Sequence, residues 1–321
     1  MLTSNNSNAG ALNPSGIITE GVLAIIYYFF SNLNLFCINY TQFNMDMQEL
    51  IYFFENISSL QRSFILVGGI TFFWSIESLI PLFKFNYAKL KHALPNFFFT
   101  LTTVLVNFSL AFILLLVSDW VSINGYGLLN YGNLLPLSVY IILGVIFLDF
   151  IGAYLPHYVQ HRVKFLWKIH LVHHSDHKVD TTTANRHHPF ESIIRYVFTL
   201  FAVAILGANM GLVFLYQSLS VVLSQFNHAN ININPKLDKF LSYFIVTPNM
   251  HKVHHHYVLP YTDSNYGNIF SFWDRLFGTF TFLNPSKIIY GVDTHFDEKE
   301  NQSISSLLYR PFEKHKSSTN N

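Results

Sequence analysis

Residues 97–118 form a run of 22 amino acids without a charged side chain. As a helix this run would be roughly 33 Å long, which is enough to cross a hydrocarbon core ~30 Å thick. Two further runs contain one charge each, Glu77 in residues 64–83 and Asp149 in residues 134–155. Only 12% of the chain is charged and 51% is hydrophobic. The sequence therefore predicts an all-α integral membrane protein rather than a soluble one.

Two other apolar segments are harder to interpret. Residues 21–37 are uncharged but contain several Ser and Asn side chains, so they fit either a first transmembrane helix or an interfacial one. Residues 196–225 are thirty uncharged amino acids broken near the middle by Gly207, Asn209 and Gly211. We expect this segment to be a re-entrant hairpin of two half-length helices, with its turn covered by protein. The predicted fold is a helical bundle of about four transmembrane helices plus this hairpin.

Loop charges predict the orientation of the bundle, because Lys and Arg collect on the cytoplasmic side. Residues 119–133 contain neither Lys nor Arg. The loops on either side of that segment are basic and carry Lys84, Lys89, Lys91, Arg162, Lys164 and Lys168. We therefore expect a multi-pass protein of a bacterial inner membrane or the endoplasmic reticulum, with a histidine-rich cap facing the cytoplasm.

Four regions follow from this pattern. We predict a disordered tail over residues 1–19, membrane helices over 20–145, a histidine-rich domain over 146–282 and a C-terminal tail over 283–321. The net charge of +1 provides no basic surface for a nucleic acid. Cys37 is the only cysteine, so any metal site must use other donors.

The chain contains 16 histidines, and many of them are spaced as metal ligands on helices. Residues three or four positions apart share one face of a helix, so their imidazoles can bind one ion. Three clusters show this spacing, and a lone histidine stands in the run Phe-Asn-His-Ala-Asn. The nine candidates are His157, His161, His170, His173, His174, His228, His251, His254 and His255. Nine donors are too many for one ion, so a two-metal site is expected. Imidazole suits Fe, Zn, Cu and Ni alike.

Several other polar residues are candidates for contacts to the imidazoles. Asp149 precedes His157 by eight residues and would lie on nearly the same helix face, where a carboxylate can orient an imidazole. Arg186 and Glu191 could pair near the site, and Asp263 with Asn265 could accept or donate hydrogen bonds there. Snorkelling at the end of a span or simple loop capping explains these residues about equally well.

The order of these motifs resembles the sterol desaturase/fatty acid hydroxylase superfamily. The resemblance covers about residues 145–282 and includes Arg-His-His-Pro-Phe-Glu at 186–191 and Thr-Asp-Ser-Asn-Tyr-Gly at 262–267. It implies a membrane di-iron oxidoreductase that uses O2 and two electrons to hydroxylate or desaturate a lipid C–H bond. It also implies that the nine histidines are iron ligands, with His188 as a further candidate. Many members have Arg after the first histidine, where this chain has Tyr158.

The resemblance implies an external electron donor, a b-type cytochrome or a ferredoxin with its reductase. The sequence itself contains no dinucleotide-binding Gly-x-Gly-x-x-Gly loop and no cysteine set for an iron–sulfur cluster. Two other functions compete with the enzyme. One is a membrane metal-binding or transport protein, although a transporter should carry ionisable residues through several spans. The other is a scaffold with an inactive site, although no cluster has lost a histidine.

Overall fold

The computed structural model of the protein describes residues 40–130 and 135–314. Every regular element in these ranges is a helix, in agreement with the predicted all-α class. The chain divides into two compact units, residues 1–48 and 49–321. Of the first unit only residues 40–48, the start of one helix, are described. The predicted tail at 1–19 and the uncertain segment at 21–37 lie outside the described residues.

We number the helices in chain order. The first eight α-helices are α1 Tyr40–Glu55, α2 Ser59–Leu79, α3 Lys89–Ile123, α4 Leu137–Asp149, α5 Leu155–Arg162, α6 Lys164–His174, α7 Pro189–Leu206 and α8 Met210–His228. The shorter ones are α9 Pro235–Leu241, α10 Pro248–His254, α11 Phe272–Leu276, α12 Glu298–Gln302 and α13 Ile304–Tyr309. A π-helical turn, Phe150–Tyr154, joins α4 to α5 without a break. Three 3-10 turns complete the list: Thr181–Asn185, Pro285–Lys287 and Arg310–Phe312.

Three helical stretches among the described residues are long and apolar enough to cross a membrane: Lys89–Ile123, Leu137–Arg162 and Pro189–Leu206. Only 6% of the most apolar 18-residue stretch of Lys89–Ile123 is buried inside the protein. Its large apolar side chains instead point outward, and Phe108 is 76% exposed. A surface of this kind is unfavourable in water and favourable in lipid.

The span predicted at 64–83 corresponds to helix α2, which begins earlier. This helix has 21 residues, but Arg62, Glu77 and several serines make it more polar than the three candidate spans. Glu77 is buried and accepts a hydrogen bond from the backbone N–H of Asn230 at 3.0 Å. Lys89 Nζ lies 2.9 Å from the same carboxylate. This acid therefore ties α2 to the segments around the histidines.

The segment around Gly207 forms a helical hairpin whose arms are longer than expected, and its re-entrant path in the membrane stays a prediction. Helices α7 and α8 have 18 and 19 residues, because they begin before residue 196 and end after residue 225. The prediction of two half-length helices was therefore wrong in length, since both arms fall within the range of about 17–25 residues that a full crossing needs. The turn is covered by protein, as Leu129 N–H donates to Leu206 O at 3.0 Å.

The region after residue 282, predicted as a tail, is folded as far as residue 314. Leu307 on α13 is fully buried against Phe99 and Val172, and Lys168 Nζ donates to the Glu313 carbonyl at 2.8 Å. Helices of five or six residues produce little periodic signal in a sequence, so their packing was missed. The segment covers α6, which carries three of the candidate ligands.

Candidate metal centre

Four helical elements bring the nine predicted histidines together. The π turn leads from candidate span α4 into α5, where His157 and His161 lie one turn apart. Helix α6 carries the middle cluster, and His228 is the last residue of hairpin arm α8. Helix α10 begins at Pro248 after a Thr247 N-cap and carries His251 and His254, with His255 just beyond its end. All nine side chains are buried.

The nine histidines divide into two groups, and within each group one ring nitrogen from every histidine lies within 4.8 Å of those of the others. The group of five is His157, His161, His170, His174 and His254. The group of four is His173, His228, His251 and His255. We call these the five-histidine and four-histidine groups. Neither contains a carboxylate among the described residues, so each presents only imidazole donors.

Four members of the five-histidine group use Nδ1 for a hydrogen bond and leave Nε2 for another purpose. The Nδ1 of His157 lies 2.8 Å from Tyr266 O, and that of His254 lies 2.7 Å from Ser264 O. The other two Nδ1 atoms face carboxylates: His170 to Glu191 Oε1 at 2.8 Å and His161 to Asp263 Oδ1 at 3.2 Å. All four Nε2 atoms are buried without a hydrogen bond partner among the described residues.

Buried imidazole nitrogens without partners are costly unless an ion binds them. Both ring nitrogens of His174 and of His255 are in this state. In the four-histidine group, His228 Nε2 lies 3.1 Å from the Nε2 atoms of both His173 and His251. Nitrogens that each lie ~2.1 Å from one ion, at about a right angle, are separated by ~3 Å. The side chains of both groups thus fit metal ions.

The electrostatic environment keeps these imidazoles neutral, which is the form that binds a metal. Burial, followed by the charges of neighbouring histidines, lowers the pKa of His170, His174 and His255 well below the usual value. Burial lowers the pKa of His254 to about 3. A cation that binds here therefore meets neutral donors rather than competing protons.

Sequence reasoning did not find three residues that lie against the histidines. The Trp167 ring lies 4.7 Å from that of His161, and the Tyr266 ring lies 5.1 Å from the same imidazole. The ring of His187 lies 4.8 Å from that of His173, with Nε2 3.6 Å from Glu191 Oε1. Each of the three lies inside or beside a motif that contains a predicted ligand. This position is the only feature of the sequence that could have identified them.

Among the described residues Asp149 makes no hydrogen bond or ion pair with an imidazole, contrary to the prediction. Its two carboxylate oxygens accept the backbone N–H groups of Ile269 and Phe270 at 3.1 and 3.2 Å. The prediction assumed a continuous α-helix from residue 149 to residue 157, whereas the π turn after Asp149 changes the direction in which the later side chains point. Asp149 therefore fixes the loop that follows Tyr266.

The predicted pair of Arg186 and Glu191 is also absent from the hydrogen bonds and ion pairs of the described residues. Arg186 is fully buried and donates to Val172 O at 2.8 Å and Asn96 Oδ1 at 2.9 Å. Glu191 contacts His170 instead, because the 3-10 turn before Arg186 directs the guanidinium behind α6.

Asn265 and His188 likewise have structural contacts. Asn265 Nδ2 donates to two backbone carbonyls, those of Met250 and Thr281, rather than to an imidazole. His188 caps helix α7, since its Nδ1 accepts the Phe190 N–H at 3.2 Å. It belongs to neither histidine group. Of the non-histidine candidates, Glu191 and Asp263 are those that the structure places against the predicted ligands.

Comparisons with known proteins agree with this geometry. A family described as fatty acid hydroxylase matches residues 141–279. An ornithine lipid hydroxylase from Rhizobium tropici is 27% identical over 146 residues, 45% of this chain and 43% of that protein. Alkylglycerol monooxygenases from Danio rerio and Homo sapiens are each 30% identical, over 49% and 45% of this chain and 34% and 31% of their own lengths.

The match through residues 141–279 covers less than half of the chain and agrees with its resemblance to the sterol desaturase/fatty acid hydroxylase superfamily. The chain spans less than half the length of these curated relatives. No solved structure matches it.

Proposed function

We propose that the protein is a membrane di-iron oxidoreductase that uses O2 and two external electrons to hydroxylate or desaturate a lipid C–H bond. The observation that carries this proposal is the convergence of nine buried histidines into one group of five and one of four, each within 4.8 Å. The lipid hydroxylase and monooxygenase names of the relatives support it. A b-type cytochrome or a ferredoxin would supply the electrons.

A bound iron pair would supply the oxidation of an unactivated C–H bond by O2, which side chains cannot perform. For hydroxylation, O2, two electrons, two protons and the lipid C–H group give the alcohol and one water. The protein's residues hold the imidazoles in place: Glu191 orients His170, and the Tyr266 carbonyl orients His157. Burial of these groups excludes bulk water, and the exposed apolar face of α3 fits a lipid environment.

Metal analysis of the purified protein, with lipid turnover measured in parallel, tests the proposal. We expect two irons per chain in the wild type. His161→Ala removes a donor from the five-histidine group and His228→Ala removes one from the four-histidine group, so each should lower iron content and abolish turnover. His177→Ala is the matched control, because His177 adjoins α6 but belongs to neither group.

Two results would contradict the proposal. One labile ion per chain in the wild type, without lipid oxidation, would favour metal handling or transport. Full iron content and full turnover in both ligand variants would show that the histidine groups are not the reaction centre. Mass spectrometry of the lipid distinguishes the products, because hydroxylation adds one oxygen and desaturation removes two hydrogens.

A further inference from the structure

Two short segments outside the candidate spans expose large apolar side chains. The first is residues 235–244, in which Leu237, Phe240, Tyr243 and Phe244 are each at least 50% exposed. Helix α9 in this segment has only seven residues, which is too few to cross a bilayer. A transmembrane helix therefore does not explain these side chains.

The second segment is residues 272–282, which contains the five-residue helix α11. Its side chains of Leu276, Phe277 and Phe282 are 67%, 51% and 73% exposed. Large apolar groups concentrated in this way are unfavourable in water and mark a contact with lipid or with another protein.

The two segments lie side by side. The Ser271 N–H donates to Phe244 O at 3.2 Å, which joins the start of one segment to the end of the other. The Arg275 guanidinium lies over the rings of both segments, 5.2 Å from the centroid of Tyr243 and 4.1 Å from that of Phe280. Residues 235–244 and 272–282 thus form one surface, which we call the aromatic surface.

The aromatic surface packs against a candidate span. The Phe277 ring lies 5.4 Å from that of Phe150 and 5.5 Å from that of Tyr154, in the π turn of Leu137–Arg162. Phe150 follows the 13 residues of α4, so it lies only ~20 Å along the axis from the start of that helix. Because a hydrocarbon core is ~30 Å thick, the bilayer still covers the span at this level.

The charges of the aromatic surface are mainly cationic. Lys236 and Lys239 are exposed, and Arg275 is partly exposed. The acids of the two segments are Asp238, which is only partly exposed, and Asp274, which is fully buried. Phe and Leu side chains combined with Lys and Arg are typical of segments that lie in a membrane interface and attract anionic lipids.

We propose that the aromatic surface lies in the headgroup region of the leaflet nearest to the histidines, and that its three cations bind the phosphates of anionic phospholipids. The partner is the bilayer, because the surface continues from a candidate span. A second copy of the chain, related by a two-fold axis, would bring the same cations into the contact. The membrane contact would support the loop before α11, in which Tyr266 N–H donates to Asp274 Oδ1 at 2.7 Å.

Quenching by brominated lipids tests where the surface lies. The full chain, with Cys37→Ser, receives one new cysteine that is labelled with bimane, in nanodiscs of phosphatidylcholine and phosphatidylglycerol brominated near the headgroup end of the acyl chains. Leu259→Cys is the matched control, since Leu259 is 65% exposed but lines a cavity with Lys164 and Asp293. We expect labels at Phe244→Cys and Leu276→Cys to be quenched at least about threefold more strongly than this control, because they would contact acyl chains.

A label at Phe108→Cys on α3, where the side chain is 76% exposed, shows the quenching of a lipid-facing position. Strong quenching there, with labels at Phe244→Cys and Leu276→Cys quenched as weakly as at Leu259→Cys, would overturn the proposal. The same weak quenching in nanodiscs that contain two copies of the chain would identify the aromatic surface as a contact between copies, which also overturns it.

The lipids that remain bound to the purified protein test the role of the cations. The protein is incubated in detergent with equal amounts of the two phospholipids, and mass spectrometry measures what it retains. We expect the wild type to enrich phosphatidylglycerol at least about twofold over the mixture. Lys236→Gln with Lys239→Gln should lose most of that enrichment, because two of the three cations are removed.

The control is Lys299→Gln with Lys314→Gln, which removes two exposed lysines outside the aromatic surface. This variant should keep the enrichment of the wild type. Equal retention of the two phospholipids by the wild type would overturn the proposal, and so would the same loss of enrichment in both double variants.

Discussion

Four imidazoles of the five-histidine group are oriented by a hydrogen bond at their outer nitrogen, Nδ1, whereas neither ring nitrogen of His174 has a partner among the described residues. Two outer nitrogens face backbone carbonyls and two face carboxylates, those of Glu191 and Asp263. A carboxylate in this position fixes the tautomer and makes the imidazole a stronger donor. Glu191 is fully buried, whereas the Asp263 side chain is 26% exposed. We therefore expect Glu191 to contribute more than Asp263 to the affinity for a metal ion.

Glu191→Ala should lower the affinity for iron by about 10- to 100-fold, because His170 would lose the group that orients it. Glu191→Gln should have a smaller effect, since the amide oxygen can still accept a hydrogen bond from the Nδ1–H of His170. Competition with a chelator measures both affinities. Glu298→Ala is the control, as the Glu298 side chain is 57% exposed and pairs with Lys178. Wild-type affinity in Glu191→Ala would show that His170 needs no such support.

Among individual residues, the sequence predicted the histidines with helical spacing but few of the residues that contact them. Helical spacing identified the histidines on α5, α6 and α10. No spacing pattern identifies Trp167, whose ring contacts His161, or Tyr266, whose backbone carbonyl lies against the Nδ1 of His157. Contacts of that kind depend on how separate segments fold together, and a single sequence does not encode them in a local pattern.

At the scale of elements, the hairpin of α7 and α8 depends on a close approach of two glycines. Gly207 ends α7 with φ 73°, a left-handed conformation that glycine adopts without strain. A Cβ atom on Gly207 would lie 2.0 Å from the Tyr126 carbonyl oxygen. The segment at Gly127 packs equally closely from the other side. The hairpin turn therefore has no room for a side chain.

Gly207→Ala should destabilise the protein by more than about 2 kcal/mol, because backbone strain and a clash with backbone atoms act together. Gly125→Ala is the matched control: Gly125 also has a positive φ of 60°, but nothing lies within 4 Å of its Cβ position. It should cost about 1 kcal/mol from strain alone. Loss of the peak of folded protein in size-exclusion chromatography after heating in detergent ranks the variants. Equal losses would mean that the turn is loosely packed.

The placement of these elements in the membrane can be tested by cysteine labelling. After replacement of Cys37, single cysteines at Lys91 and Lys236 should react from the cytoplasmic side, and one at Tyr126 from the opposite side. Tyr126 is 62% exposed at the same end of the bundle as Gly207. The basic loops predict this orientation. Labelling of Lys91 and Lys236 from opposite faces would be incompatible with one shared metal centre.

At the scale of the whole molecule, the buried imidazoles make stability depend on pH. Burial lowers the pKa of His170, His173, His174, His251 and His255 well below the usual value of about 6.5. The folded metal-free protein therefore keeps them neutral at a pH where the unfolded chain binds protons. Protonation of the unfolded state then lowers the free energy of unfolding.

We expect the unfolding temperature of the chelator-treated protein to fall as the pH decreases from 7.5 to 5.5. Two groups oppose this slope, Asp274, whose pKa burial raises to about 6, and His92, whose pKa is raised to about 10 by Asp176 in spite of burial, but the histidines with lowered pKa outnumber them. His174→Asn with His255→Asn should flatten the dependence, because two of the groups are removed. A flat profile in the metal-free wild type would show that these imidazoles are not buried as described.

The overall architecture was predictable to different degrees along the chain. Long apolar runs predicted α3, α4 and the hairpin, because a bilayer requires a minimum length of uncharged helix. The lengths of the hairpin arms were not predictable from charge alone, since Arg195 lies inside a helix and not at its end. The fold of residues 285–312 was missed because its stability comes from contacts with distant segments, those of Leu307 with Phe99 and Val172 and of the Asn301 carbonyl with Arg186.

The π turn at Phe150–Tyr154 has a consequence for how the centre can be lost. Such a turn is equivalent to one extra residue in a helix that otherwise has 3.6 residues per turn. If the same residues closed into a regular α-helix without the wider turn, every later side chain of α5 would be rotated by about 100°. All nine histidines would still be present in such a chain, yet His157 and His161 would face away from their partners. The direction in which His157 and His161 point is thus set by residues that cannot bind a metal ion. An intact histidine pattern does not by itself guarantee a metal site.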